Sequence, residues 1–317
     1  MLGAGMLRPS AIAKHHARKR NFISLSVFLS FFINAFAWSA PIRLIDDLGV
    51  ELNLEQAAQR VVLLGPNLVE SIYAIDAAHT VVAVADHSDY PPQARTIPRV
   101  ASHHTINYEK ILALAPYLVV VWASGFGADK IQKLRDLGLT VFASEPQRLA
   151  DVEQLLRTLG QLTGHSVSAN RAALSYARRL DELTQRYHHQ RPVRVFYQIW
   201  HRPMQTLNDK HIVNDVISLC GGVNVFAKQR EIAPKVTVEA VIALDPELII
   251  TGVSDSKRPS WFDDWRLWPS ITAVKKNQLF VVNADTMVRH APRILLGAEQ
   301  LCRHLAKARV SDEVKGE

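Results

Sequence analysis

The segment Asn107-Tyr108-Glu109-Lys110-Ile111-Leu112-Ala113-Leu114-Ala115-Pro116-Tyr117-Leu118-Val119-Val120 runs in step with Thr237-Val238-Glu239-Ala240-Val241-Ile242-Ala243-Leu244-Asp245-Pro246-Glu247-Leu248-Ile249-Ile250. Each copy reads as an N-cap, a helix of two turns, a proline stop and a buried strand. Asn and Thr side chains accept from the free N–H groups of a first turn, and proline can neither donate nor fit the next turn. A chain that uses one such unit twice is expected to fold as two similar lobes.

The runs around these copies say what kind of lobes they are. Val61-Val62-Leu63-Leu64, Val81 to Ala85, Leu118 to Trp122 and Thr140 to Ala143 are continuous apolar runs separated by helical spacing. Strands of that type are covered on both faces, which predicts α/β lobes with largely parallel sheets. Ahead of them, Ile42 to Leu54 predicts a hairpin turning at Asp46-Asp47-Leu48-Gly49. From Arg148 to Gln190 the spacing is helical throughout, with Gly164 a candidate break, so a semi-rigid helical connector is expected. The α/β pattern restarts at Val193 to Tyr197 and closes on a helix near Ala291 to Ala308. The expected division is a leader over 1–37, a first lobe over 38–147, a connecting helix over 148–191 and a second lobe over 192–317.

The leader follows from a basic stretch, Lys14, Arg18, Lys19 and Arg20, that enters an apolar run from Phe22 to Ala37. The run is interrupted by serines and an asparagine and is shorter than the ~20 apolar residues of a membrane crossing, so a signal peptide is expected. Ala35-Phe36-Ala37 offers the small residues of a cleavage site, with Ala37-Trp38-Ser39 as the alternative, and no cysteine follows to take a lipid. The formal charge is +7, but Arg8, Lys14, Arg18, Lys19 and Arg20 account for five positive charges and no acid joins them, leaving +2 for the exported chain. A nearly neutral chain without a basic stripe gives no footprint for nucleic acid. Cys220 and Cys302 are the whole thiol inventory. In an oxidising compartment an even pair tends to be bridged, the alternative being two separately buried thiols.

Several residues are candidates for chemistry. Glu109 and Glu239 occupy the second helical position of the two copies, where each serves the helix dipole, a docking partner of matching symmetry, or both. Trp122 and Trp200 directly follow strands, where the ligand crevice of an open α/β sheet lies. Tyr90, in Ser88-Asp89-Tyr90-Pro91-Pro92, and Trp261, Trp265 and Trp268 add further aromatic surface, about half of it expected to be core. Gly125-Phe126-Gly127 lacks the third glycine of a dinucleotide loop and reads as a turn bringing backbone close to a ligand. Of the thirteen histidines, His103, His104, His201, His211 and His290 invite a metal reading. Adjacent histidines on a strand point to opposite faces, so most are expected to be solvated or core residues, with His103 the one placed to reach a ligand's metal at a cleft mouth. No nucleophile elbow, His-Glu-x-x-His helix or Cys-x-x-Cys pair occurs, so binding without catalysis is expected, with neither catalytic cofactor nor metal, and a metal-dependent enzyme on this scaffold is the weaker reading.

Over roughly residues 59 to 308 the chain resembles the helical-backbone class of periplasmic binding proteins for cobalamin, haem and ferric siderophores. The likeness rests on Arg60-Val61-Val62-Leu63-Leu64-Gly65-Pro66, Ser88-Asp89-Tyr90-Pro91-Pro92-Gln93-Ala94, the two Glu-containing copies, Leu219-Cys220-Gly221-Gly222-Val223-Asn224-Val225-Phe226, and Ala291-Pro292-Arg293-Ile294 leading to Gln300-Leu301-Cys302. The Asp-Tyr-Pro-Pro element and both cysteine contexts resemble the cobalamin branch, with haem or ferric-siderophore binding as the alternative. The resemblance implies lobes joined by one long helix, small hinge motion, and a monomer that holds cobalamin in the interlobe cleft and delivers it to an inner-membrane ABC permease. It implies a Cys220–Cys302 disulfide, docking of Glu109 and Glu239 on permease arginines, and ligand contacts at Tyr90, Trp122, Asp285 and Arg293, with Asn67 and Leu68 lining the first lobe. His103 stands where the close cobalamin binders carry an aromatic, and Thr286-Met287 also departs from their pattern.

Overall fold

The computed structural model describes residues 41–102, 104–254 and 257–313; the expected leader and His103 lie outside them. The hairpin forms as β1 (Ile42–Ile45) and β2 (Glu51–Leu54), paired antiparallel. Its turn is pinned by Asp46, whose Oδ1 accepts from the Leu48 and Val50 N–H groups, while Oδ2 accepts from Arg135 at 2.6 Å.

The first lobe then runs β3 (Val61–Leu64), α1 (Pro66–Ala74), β4 (Val81–Ala85), β5 (Arg99–Ala101), α2 (Tyr108–Ala113), β6 (Leu118–Trp122), α3 (Ala123–Phe126), α4 (Ala128–Asp136) and β7 (Val141–Ser144). Helices α5 (Leu149–Thr163) and α6 (Ser166–Tyr187) follow, and the second lobe runs β8 (Val193–Gln198), α7 (Ile212–Leu219), β9 (Gly222–Asn224), α8 (Val238–Leu244), β10 (Leu248–Val253), α9 (Thr272–Lys275), β11 (Leu279–Asn283), α10 (Ala284–Val288) and α11 (Ile294–Glu313). The first sheet has the order β5-β4-β3-β6-β7 and the second β9-β8-β10-β11, with every pairing parallel.

The sequence repeat is a structural one. Asn107 accepts from the Lys110 N–H at 2.9 Å and Thr237 from the Ala240 N–H at 3.3 Å, the same capping bond at the same position. Each helix is followed by a non-glycine residue in the left-handed region at the matching position of the repeat, Ala115 at φ 43° and Asp245 at φ 42°, and proline follows each. Matching α2-β6 to α8-β10 brings β4-β3-β6-β7 onto β9-β8-β10-β11, so the lobes share a four-stranded plan to which the first adds β5.

Alternation along the strands shows why the runs are apolar throughout. Val61 and Leu63 face one core while Val62 and Leu64 face another, and β6 repeats the pattern. One of these cores is shared, running from Leu63 through the α5 and α6 side chains Leu156, Leu159 and Leu183 to Val195, Ile217, Ile250 and Leu305 of the second lobe. Each lobe keeps its other core to itself.

The connector differs from one uninterrupted helix. Gly164 adopts φ 77° and ends α5, a conformation that suits glycine, and α6 turns back along it. Arg157 bonds Asn170 and the Tyr176 hydroxyl donates to the Leu149 carbonyl, which makes the pair an antiparallel hairpin. The 22 residues of α6 then carry the chain to β8. Cys220 and Cys302 form a disulfide that ties the end of α7 to α11.

Candidate functional site

The carboxyl ends of the strands in the two sheets are followed by the segments that meet between the lobes. Glu70 lies one turn into α1, after β3, and its side chain is only 2% exposed. Arg293, between α10 and α11, donates to it twice, Nε to Oε2 at 2.8 Å and Nη2 to Oε1 at 2.6 Å. Arg289 adds Nη1 to Oε1 at 3.0 Å and pairs through Nη2 with Asp285 at 3.2 Å. The guanidinium carbon of Arg293 lies 3.4 Å from the centroid of the Tyr90 ring, a cation–π contact. Burial alone would lower the Arg293 pKa, but Glu70, with Tyr90 and Asp285 adding, holds it above the ordinary value. Glu70, Tyr73, Ala74, Tyr90, Pro91, Gln93, Pro292 and Arg293 surround a cavity of about 580 Å³.

Beside this polar bridge the interlobe floor is aromatic. Trp122 at the end of β6 meets His290 edge-on at 5.6 Å, and His290 meets His211, the N-cap of α7, at 5.4 Å. Among the described residues the Trp122 indole N–H, both amide atoms of Asn67 and both ring nitrogens of His290 have no well-aligned hydrogen-bond partner. Burial pushes His290 down to about 4, against a weaker upward pull from the Pro146 backbone, and pushes His211 to about 3 with His290 adding to it. Both are neutral at physiological pH. No cluster of three or more metal-donating side chains occurs among the described residues.

The expected ligand contacts separate into groups. Tyr90, Asp285 and Arg293 come together in one network, and Asn67 sits against Trp122 across Gly65. Leu68 does not reach the cleft: it is fully buried in the shared core, because it lies on the inward face of α1. Gly125 belongs to α3 rather than to an open turn, and a Cβ there would lie 2.4 Å from Cε3 of Trp122, so its role is to let the indole pack flat. Trp200 follows β8 as expected and is 60% exposed, with its partners in its own loop at Arg202 and Gln205. Nearby, Trp261, Trp265 and Trp268 line a separate pocket of about 380 Å³ with His201 and Met204. Trp265 is the core member, donating to Gln198 at 2.8 Å, and His201 stacks on Trp261.

Glu109 and Glu239 are both exposed at the capped starts of α2 and α8. The Glu239 carboxyl is held below its ordinary value by its own backbone N–H and the Thr237 hydroxyl. Glu70 and Arg289 were not legible as site residues. Arg289 stands four residues before Arg293, and that spacing was the only signal; nothing near Glu70 marks it as the partner of residues more than two hundred positions away.

Residues 61–286 match the family model described as periplasmic binding protein. The chain is 36% identical over 249 residues to a vitamin B12-binding protein of Vibrio cholerae serotype O1, covering 78% of this chain and 89% of that one. It is 34% identical over 251 residues to the vitamin B12-binding protein of Yersinia pestis strain Pestoides F, covering 79% and 88%. The crystal structure of the periplasmic vitamin B12-binding protein BtuF of Vibrio cholerae superposes with a TM-score of 0.73 at 36% identity, covering 80% of this chain and 98% of that one. A two-lobed parallel α/β architecture and this likeness along both lobes lead to one conclusion: the chain belongs to the periplasmic binding protein family.

Proposed function

We propose that this protein captures cobalamin in the cleft between its lobes and delivers it to an inner-membrane ABC permease. It is a substrate-binding protein of a transport system and not an enzyme. The observation that carries the ligand assignment is the likeness at 36% identity to a vitamin B12-binding protein over 89% of that protein's length. The site's chemistry agrees with it. Tyr90 and Pro91 offer apolar surface on one lobe, while Pro292 and Arg293 face them from the other. A corrin is a flat, largely apolar ring with a rim of neutral amides. Burying its faces supplies most of the driving force at about 25 cal/mol per Å² of apolar area, and guanidinium N–H groups and the Asp285 carboxylate suit the rim. The contacts assigned to the ligand are Asn67, Tyr90, Trp122, Asp285 and Arg293, with Trp200 reaching from the second lobe. The leader over 1–37 exports the chain to the periplasm, and the protein works as a monomer.

Calorimetry on the mature protein with cyanocobalamin, haemin and a ferric siderophore tests the ligand. One cobalamin per chain, retained as colour after desalting, is the expected result. No heat with cobalamin beside a clear haemin signal would overturn it.

A further inference from the structure

The cleft wall carries two guanidiniums that a carboxylate-bearing ligand would be drawn to, yet both are already occupied. Both oxygens of Glu70 take Arg293, and Oε1 also takes Arg289, whose other arm is held by Asp285. Two acids against two arginines leave no net charge. Glu70 comes from the first lobe and the arginines from the second, so the neutralisation exists only in the assembled cleft.

We propose that Glu70 is a specificity-determining residue: by occupying Arg289 and Arg293 it presents a neutral wall that accepts a ligand rimmed with neutral amides and rejects one rimmed with carboxylates. The physical reason is an exchange cost. A ligand carboxylate can reach the arginine forks only by displacing Glu70, and a carboxylate this buried, stripped of its cations, is heavily penalised. An amide carbonyl demands no exchange, because a guanidinium has five N–H donors and Glu70 engages two on Arg293 and one on Arg289. The Tyr90 ring holds Arg293 from its face, so the N–H edge stays oriented while Glu70 is in place. This inference deepens the cobalamin reading and rests on it for the ligand.

The matched probes are cyanocobalamin and its monocarboxylates, in which one peripheral amide is hydrolysed and the corrin is otherwise unchanged. The wild type is expected to bind cyanocobalamin more tightly than at least one monocarboxylate isomer by about tenfold or more, since a ligand carboxylate could gain the arginines only by stranding buried Glu70 without its cations. Glu70→Gln keeps the shape and removes the charge, leaving an excess cation; it should shrink or reverse that ratio, and monocarboxylate binding should become salt-sensitive. Arg289→Gln leaves an excess anion and should widen the ratio. A residue with a purely structural role would weaken all corrinoids together and leave the ratio alone. The ratio unchanged for every isomer in folded Glu70→Gln, or in folded Arg289→Gln if the first variant does not fold, overturns the proposal while cobalamin binding stands. A wild type that binds no cyanocobalamin overturns both.

Discussion

His211 and His290 were candidate metal donors in the sequence, and the fold uses them as neutral rings, His290 buried and His211 half-buried, that join the lobes. His290 touches Trp122 of the first lobe and His211 of the second, with Asp151 and the Pro146 backbone as the groups that favour its charge. In the unfolded chain both would titrate near 6.5. Between that value and the folded values of about 4 and about 3, the unfolded state binds more protons, so the histidines' contribution is complete above about pH 6.5 and falls as the pH drops. Thermal melts from pH 7 to pH 4.5 should therefore show a steep fall in Tm, and His290→Leu should flatten it. Equal slopes for wild type and variant would remove the histidine from the account and leave the carboxylates.

At the scale of elements, the disulfide is what fastens the second lobe's last helix. It closes a span of 82 residues from the end of α7 to α11, and the chain-entropy argument gives such a loop roughly 4.5 kcal/mol. Arg309, two turns further along α11, reinforces the same junction by donating to the Cys220 and Gly221 carbonyls. Mass spectrometry of the non-reduced protein should find no alkylatable thiol, and reduction should lower the Tm by roughly 10 °C or more, since a 1 kcal/mol loss moves a domain of this class by about 2–4 °C. Two free thiols in the native protein would exclude the bridge. The connector is an element whose class was legible and whose form was not. Helical spacing runs unbroken through Leu155, Leu159 and Leu162, and Gly164 is tolerable inside a helix at about 1 kcal/mol. Only the packing of α6 back onto α5 decides that it becomes a turn.

For the whole molecule, the shared core matters most. Apolar side chains run without interruption from the first sheet through α5 and α6 into the second, and Asp215 of α7 holds the first N–H of α5 and the Arg148 side chain. A wide hinge opening would have to break that core, which supports a molecule that presents its lobes at a nearly constant separation. Two exposed carboxylates, Glu109 and Glu239, stand at equivalent helix starts on the two lobes, and under the delivery proposed above they are the expected docking pair. Replacing both by Lys should abolish uptake into vesicles while leaving the calorimetric affinity for cobalamin unchanged, because rim charges govern encounter and register. Loss of cobalamin binding in a folded double mutant would assign these glutamates to the ligand site instead.

The repeat, the continuous strand runs and the Asn107 and Thr237 caps were readable because each depends on neighbours within a few residues: a cap on the third N–H ahead of it, a strand on its own apolar period. Those local rules determined two similar α/β lobes and placed Glu109 and Glu239 at equivalent helix starts. Strand ends placed Trp122 at the cleft, but the pairing of groups across it obeyed no local rule. Leu68 and Asn67 are adjacent in sequence and both buried, yet Leu68 joins the shared apolar core while the Asn67 amide lies beside Gly65, as Trp122 does, which no stretch around them announces. Glu70 was an unremarked helix acid until folding brought it 2.6 Å from Arg293, 223 residues away. Charge neutrality in that wall is a property of the assembled pair, and no stretch of sequence on either side contains it.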